Sequence, residues 1–182
     1  MTMGMITVDR YVASSRLLHW LTALLVVAVI IPLGIWIVYF EPKDEPFKLQ
    51  LYNLHESCGV LVFVLTLIRI WNRRRHPPPP LPANTPAMVR LAAHVSHMSL
   101  YALLVIMPVL GFLATNAWGF PLKVFNVLPM PVPFGKDEGL AKVFSLLHWC
   151  GAIALITLIA AHLAGVVYHT FIRRDGLLRR ML

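Results

Sequence analysis

At 182 residues, 58% hydrophobic and 13% charged, with a mean hydropathy of +0.72, the chain has the composition of a membrane protein and not of a soluble domain. Its formal charge of +8 and pI near 10.0 fit basic residues at the inner ends of spans better than nucleic-acid binding, since no basic aromatic face or helix-turn-helix pattern lies outside the apolar runs. Two cysteines, Cys58 and Cys150, cannot by themselves supply a zinc or iron–sulfur ligand set.

The short, polar-flanked start MTMGMITVDRY leads into an apolar run too long for a cleaved leader, so the first span is expected to be retained. It runs over about 17–40, with His19 near its start and Pro32 and Gly34 where a kink is tolerable. The charged loop EPKDEPFK precedes a second span over about 49–71, with His55 and Glu56 near its beginning and Arg69 near its end. The segment NRRRHPPPPLPANTP reads as a non-helical linker, with Pro77 to Pro80 extended. A third span, about 89–113, opens with His94 and His97 and contains Pro108. The Pro- and Gly-rich stretch TNAWGFPLKVFNVLPMPVPFGKDEG reads as an ordered or interfacial loop, with Trp118, Phe120 and Phe125 at headgroup level. The fourth span, about 141–171, holds His148, His162 and His169 and ends in the basic tail RRDGLLRRML. No internal repeat is visible, and 1–182 is expected to be one domain.

Sixteen Lys and Arg residues fix the expected orientation. The arginines all fall on one side, at the N-terminus, around the linker between spans two and three, and at the C-terminus. Lys43, Lys48, Lys123, Lys136 and Lys142 fall on the other. The bias puts both termini in the cytoplasm of a multi-pass inner-membrane protein. His148 and His162 are fourteen residues apart (162 − 148), hence within about 40° of one helix face and roughly 21 Å apart along it. Span direction then places His55 and His148 near the outer face, and His19 and His162 near the inner one.

Ionisable side chains within spans are costly, and a functional role is their default reading; histidines that only bridge helices are the plain alternative. Two facing histidines at each of two depths are what two six-coordinate haems require. Neither level offers the tetrahedral donors zinc prefers. No C-x-x-C-H occurs, so covalent haem attachment is not expected. Gly59, Gly151 and Gly165, close to the ligands in sequence, are candidates for making room. The expected fold is all-α, an integral membrane four-helix bundle with two b-type haems.

RLLHW in span one, LYNLHESCG in span two, AHVSH opening span three, and LLHW with AAH in span four resemble the bacterial cytochrome b-561 family, over nearly the whole chain. Within it the likeness is greatest to the four-helix superoxide oxidases, and the histidine pattern is shared with the membrane cytochrome b subunits of nickel–iron hydrogenases and formate dehydrogenases. The resemblance implies that His19, His55, His148 and His162 are the haem b ligands, paired as depth suggests. It also implies electron passage from a periplasmic donor to a quinone: from superoxide to ubiquinone in the first reading, from a periplasmic dehydrogenase or hydrogenase in the second. Bis-histidine ligation leaves no open iron position, so superoxide would react at the haem edge. Steering of that anion gets no help from the outer-side total, five lysines against Glu41, Asp44, Glu45, Glu56, Asp137 and Glu138, a net of −1 (5 − 6).

Other residues keep two readings each. His94 and His97, on one helix face, are open to replacing His19 as ligand, to quinone or proton handling, or to a structural role at the interface. His169 follows His162 by seven residues and is a candidate for passing protons to quinone. Arg16 and Arg69 are candidate partners of haem propionates, or snorkel to lipid headgroups. Glu56 either orients a ligand, carries a proton or reaches outer water. His76 is expected to be solvated.

Overall fold

The computed structural model describes residues 10–40 and 45–182, so Glu41, Lys43 and Asp44 of the expected outer loop lie outside the described residues. Four helices are long and apolar enough to cross a membrane among the described residues: α1 Ala13–Tyr39, α2 Glu45–Arg75, α3 Ala87–Trp118 and α4 Glu138–Arg173. All four expected spans are present. Each helix is longer than its apolar run, because polar residues such as Ser14 and Asn116 continue the turns beyond the hydrocarbon.

The interior is small. Val26, Val62, Leu104 and Leu155, one from each helix, form the buried apolar cluster. Large side chains instead cover the outside, Leu24 (64% exposed), Leu146 (61%) and Phe171 (68%) among them, as expected where lipid is the solvent. In α1 the turns over Leu25–Ile30 widen to π geometry just ahead of Pro32. A proline lacks its N–H and its ring meets the carbonyl four residues back, and a wider turn relieves that clash.

The linker expectation needs one correction: Asn72 and Arg73–Arg75 are helical and form the last turn of α2. Asn72, buried, donates to Ser15 Oγ (2.7 Å) and accepts from Ser14 Oγ (3.0 Å), which fastens that turn to α1. The guanidinium of Arg73 stands over Tyr101 and that of Arg75 over Trp71, and cations at a helix C-terminus are favoured by its dipole. Pro77, which offers no N–H to extend the ladder, follows directly after His76.

Gly119, at φ +92°, closes α3 in the left-handed conformation only glycine adopts without cost. Beyond it the loop contains a two-stranded hairpin that the sequence pattern did not indicate, β1 Lys123–Val124 against β2 Leu128–Pro129. Phe125 and Asn126 turn it with φ of +50° and +60°. The hairpin is fastened to α2. Asn53 Nδ2 donates to the Lys123 carbonyl (2.8 Å), and the buried Ser57 Oγ accepts from the Phe125 amide (2.8 Å). Asp137 caps α4 by accepting from the Leu140 amide (3.0 Å). At the opposite end of the bundle the chain after α4 folds back on α1: Tyr11 N donates to the Arg180 carbonyl (3.1 Å) and Trp20 Nε1 to that of Met181 (2.9 Å). The bundle thus has a hairpin end and a terminus end.

Candidate functional site

Both expected histidine pairs meet inside the bundle. At the terminus end the ring centroids of His19 (α1) and His162 (α4) are 6.4 Å apart with planes at 60°. At the hairpin end those of His55 (α2) and His148 (α4) are 6.3 Å apart at 76°. An imidazole nitrogen stands about 2 Å from a first-row metal it binds, so two rings on opposite sides of one metal have centroids roughly 6 Å apart. Both pairs have that separation. His97 (α3) also reaches His162, at 5.3 Å, closer than a shared metal would leave them. Among the described residues no three His, Cys, Asp or Glu side chains gather to hold a bare ion; each pair offers two imidazole rings.

The rings at the hairpin end are seated on glycine. A Cβ at Gly34 of α1 would lie 3.3 Å from His55 Cε1, and one at Gly111 of α3 would lie 3.1 Å from His148 Cε1. Any larger residue would push the rings away. The glycines chosen by sequence proximity do other things: Gly151 admits the Met107 sulfur, Gly59 faces Pro108 across ordinary contact distance, and nothing lies within 4 Å of a Cβ placed at Gly165. Sequence spacing within one helix could not single out Gly34 or Gly111, because each serves a histidine on a neighbouring helix.

The second ring nitrogens differ between the pairs. His148 Nδ1 is 3.1 Å from the Met107 carbonyl; a carbonyl only accepts, so the proton is on Nδ1 and the Nε2 lone pair is free to bind a metal. His55 Nδ1 is buried, with the Ile30 backbone beside it but outside hydrogen-bond geometry. At the terminus end Arg69 Nη2 lies 3.1 Å from His19 Nδ1. A guanidinium only donates, so there the ring accepts. Arg69 is held by stacking on Tyr101, its guanidinium carbon 5.2 Å from the ring centre.

The remaining candidates separate. His94 is exposed and, with Thr85, Ala87, Arg90 and Leu91, lines an open cleft of about 600 Å³ at the terminus end. His97, one turn on, points inward to His162 instead. His169 bonds through Nδ1 to Asp175 (2.6 Å), a carboxylate only 9% exposed that Arg173 also approaches (3.3 Å). Asp175 went unread in the sequence, although Asp-Gly is a turn signal. Burial alone would raise its carboxyl, but the hydrogen bonds from His169, the Leu177 amide and Arg173, with the charge of His169, hold it below the usual range. Arg16 Nη1 donates to the Leu182 carbonyl. Glu56 and His76 are, respectively, half-buried and exposed.

A family model described as prokaryotic cytochrome b561 matches residues 10–182. The chain belongs to that family. This cytochrome b561-family protein is 34% identical over 177 residues to "Cytochrome b561 homolog 2" of Escherichia coli K12, covering 97% of the chain and 93% of the relative. It is 28% identical over 178 residues to "Cytochrome b561 homolog 1" of the same organism, with 96% and 97% covered. It is 30% identical over 166 residues to "Probable superoxide oxidase CybB" of Yersinia pestis, with 91% of each covered. Membership makes it a membrane electron-transfer cytochrome of the oxidoreductase type and implies b-type haem. The paired rings, the free Nε2 of His148 and the glycine seats suit that group; at the terminus end the apposition of Arg69 to His19 is an arrangement that haem binding would have to alter.

Proposed function

We propose that the chain is a di-haem cytochrome b of the bacterial inner membrane that carries electrons from superoxide at the periplasmic hairpin end to ubiquinone at the cytoplasmic terminus end. The observation that carries this reading is the pair of ring separations, 6.4 Å for His19 with His162 and 6.3 Å for His55 with His148, at opposite ends of one bundle. Haem bound there would be held by His19 and His162 at one end and by His55 and His148 at the other, and would supply a one-electron couple. Two superoxide ions give up one electron each and leave as dioxygen; ubiquinone takes both electrons and two protons.

The chain's own groups supply the rest. Lys123 is exposed on the hairpin that Asn53 and Ser57 clasp, two residues either side of His55, and so offers positive charge near that end. The open cleft beside His94, lined by Thr85, Ala87, Arg90 and Leu91, is where a quinone headgroup would approach in this reading. His169, oriented by Asp175, is placed to deliver protons from the cytoplasm. Arg16, at the same end, would exchange its bond to the Leu182 carbonyl for a haem propionate in this reading.

A second reading, an electron-transfer subunit for a periplasmic dehydrogenase or hydrogenase, is favoured by the apolar hairpin surface, where Val127 is 83% and Leu128 61% exposed. Haem counts settle the first layer: two per chain in the native protein, falling to one or fewer when His19, His55, His148 or His162 is changed to Ala. Stopped-flow mixing of the oxidised protein with superoxide and quinone settles the second. Rapid haem reduction supports the superoxide reading; haems that stay oxidised until a co-purified dehydrogenase is added support the subunit reading.

A further inference from the structure

We propose that Arg69 is a positioning residue that raises the reduction potential of the haem held by His19 and His162 above that of its neighbour, and so gives electron flow its direction. The inference rests on the two-haem reading above. Its basis is an asymmetry between the two ends. At the terminus end a guanidinium, charged at any working pH, stands 3.1 Å from the Nδ1 of one ligand ring. Stacking on Tyr101 keeps it there, and Arg73, one turn along α2, stands over the same ring with its guanidinium carbon 5.9 Å from the centre. Among the described residues no carboxylate lies within ion-pair distance of Arg69. Its charge is therefore not paired with a carboxylate among the described residues.

At the hairpin end the corresponding contact has the opposite sense. His148 Nδ1–H donates to the Met107 carbonyl, which strengthens the ring as a donor and favours ferric iron. Glu56, next in sequence to His55, carries no positive charge in either protonation state. Reducing a haem adds one negative charge to it. A buried cation close by favours that form, whereas a carbonyl dipole on the ligand disfavours it. When Nε2 of His19 binds metal, the neutral ring's proton belongs on Nδ1 and Arg69 must give up its hydrogen bond. Whether the guanidinium then rests against the ring or turns to an anionic haem carboxylate, its charge acts in the same direction.

The test is a potentiometric titration of the purified holoprotein, followed in the haem absorption bands, for the native chain, Arg69→Gln and Arg69→Lys. In Arg69→Gln one transition falls by at least about 59 mV, a tenfold shift of a one-electron equilibrium, while the other stays. The transition that moves is the one retained when His148→Ala removes the hairpin-end haem. Arg69→Lys, which keeps the charge, stays near the native value. Unmoved transitions in Arg69→Gln with both haems bound would overturn the inference, and so would an equal fall in Arg69→Lys, which would make packing the cause. A native protein without haem would sink the reading beneath it, a separate outcome seen before any titration.

Discussion

Gly34 and Gly111 show how little latitude the rings of His55 and His148 have. A methyl at Gly111 would stand 3.1 Å from Cε1 and 3.3 Å from Nδ1 of His148, tighter than van der Waals contact allows, so the ring or α3 must shift. Overpacking of this kind costs about 1–3 kcal/mol. On the proposed two-haem reading, the expected result for Gly111→Ala is a haem-to-protein ratio falling from two toward one, with the terminus-end haem retained; pyridine haemochrome assay of the purified variant checks it. Gly34→Ala should act in the same direction and less, because its nearest ring atom is at 3.3 Å. The histidines themselves were legible in the sequence, because ionisable groups in an uncharged run stand out and a fourteen-residue spacing fixes a face. Their glycine seats were not, since a seat and its ring lie on different helices. Nor could spacing separate His94 from His97: both open α3 within one turn, and only packing against α4 sends one to His162 and the other to the cleft.

Two short elements, one at each end, lock the bundle through a few polar contacts. At the terminus end Arg174, at φ +52°, and Gly176, at φ +75°, bend the chain so that Asp175 meets His169. Because the folded carboxyl lies below its ordinary value, its stabilisation is complete above the unfolded pKa of about 4. It is lost as pH falls through the folded value. Hydrogen-exchange protection of residues 175–182 in detergent, taken relative to the free-peptide rate at each pH, should accordingly fall below about pH 4 in the native chain, whereas Asp175→Asn is poorly protected already at pH 7. At the hairpin end Ser57→Ala leaves the Phe125 amide without its protein acceptor, at a cost of about 0.5–1.5 kcal/mol for one part-buried hydrogen bond. Faster amide exchange at Phe125, Asn126 and Val127, with unchanged exchange in α4, is the expected signature. The hairpin was hidden from the sequence because strands of two residues carry no periodicity and Phe125 is not a residue that advertises a left-handed turn. The last turn of α2 was misjudged for a related reason: Arg73–Arg75 look like a solvated charge run until Tyr101, Trp71 and the serines of α1 give that turn partners.

For the whole molecule, four spans were written in hydropathy and the meeting of two histidine pairs in their spacing, and the bundle assembles both. With so small an apolar interior, bound haem should supply a large part of the cohesion. Protein from haem-starved cells is expected to melt well below the holoprotein by differential scanning fluorimetry; a ligand at a thousand times its dissociation constant adds about 4 kcal/mol. The layer of Val26, Val62, Leu104 and Leu155 lies between the two levels: Leu155 is seven residues from both His148 and His162 (155 − 148 and 162 − 155), and Val26 and Val62 are seven beyond His19 and His55 (26 − 19 and 62 − 55). The four side chains of that layer carry no acid, base or hydroxyl to relay an ion; the buried Thr22 and Thr66 stand one turn nearer the terminus end. Each turnover would then separate charge across the insulating middle of the bilayer, and vesicles carrying the working protein in one orientation would develop a voltage that a potential-sensitive dye could follow.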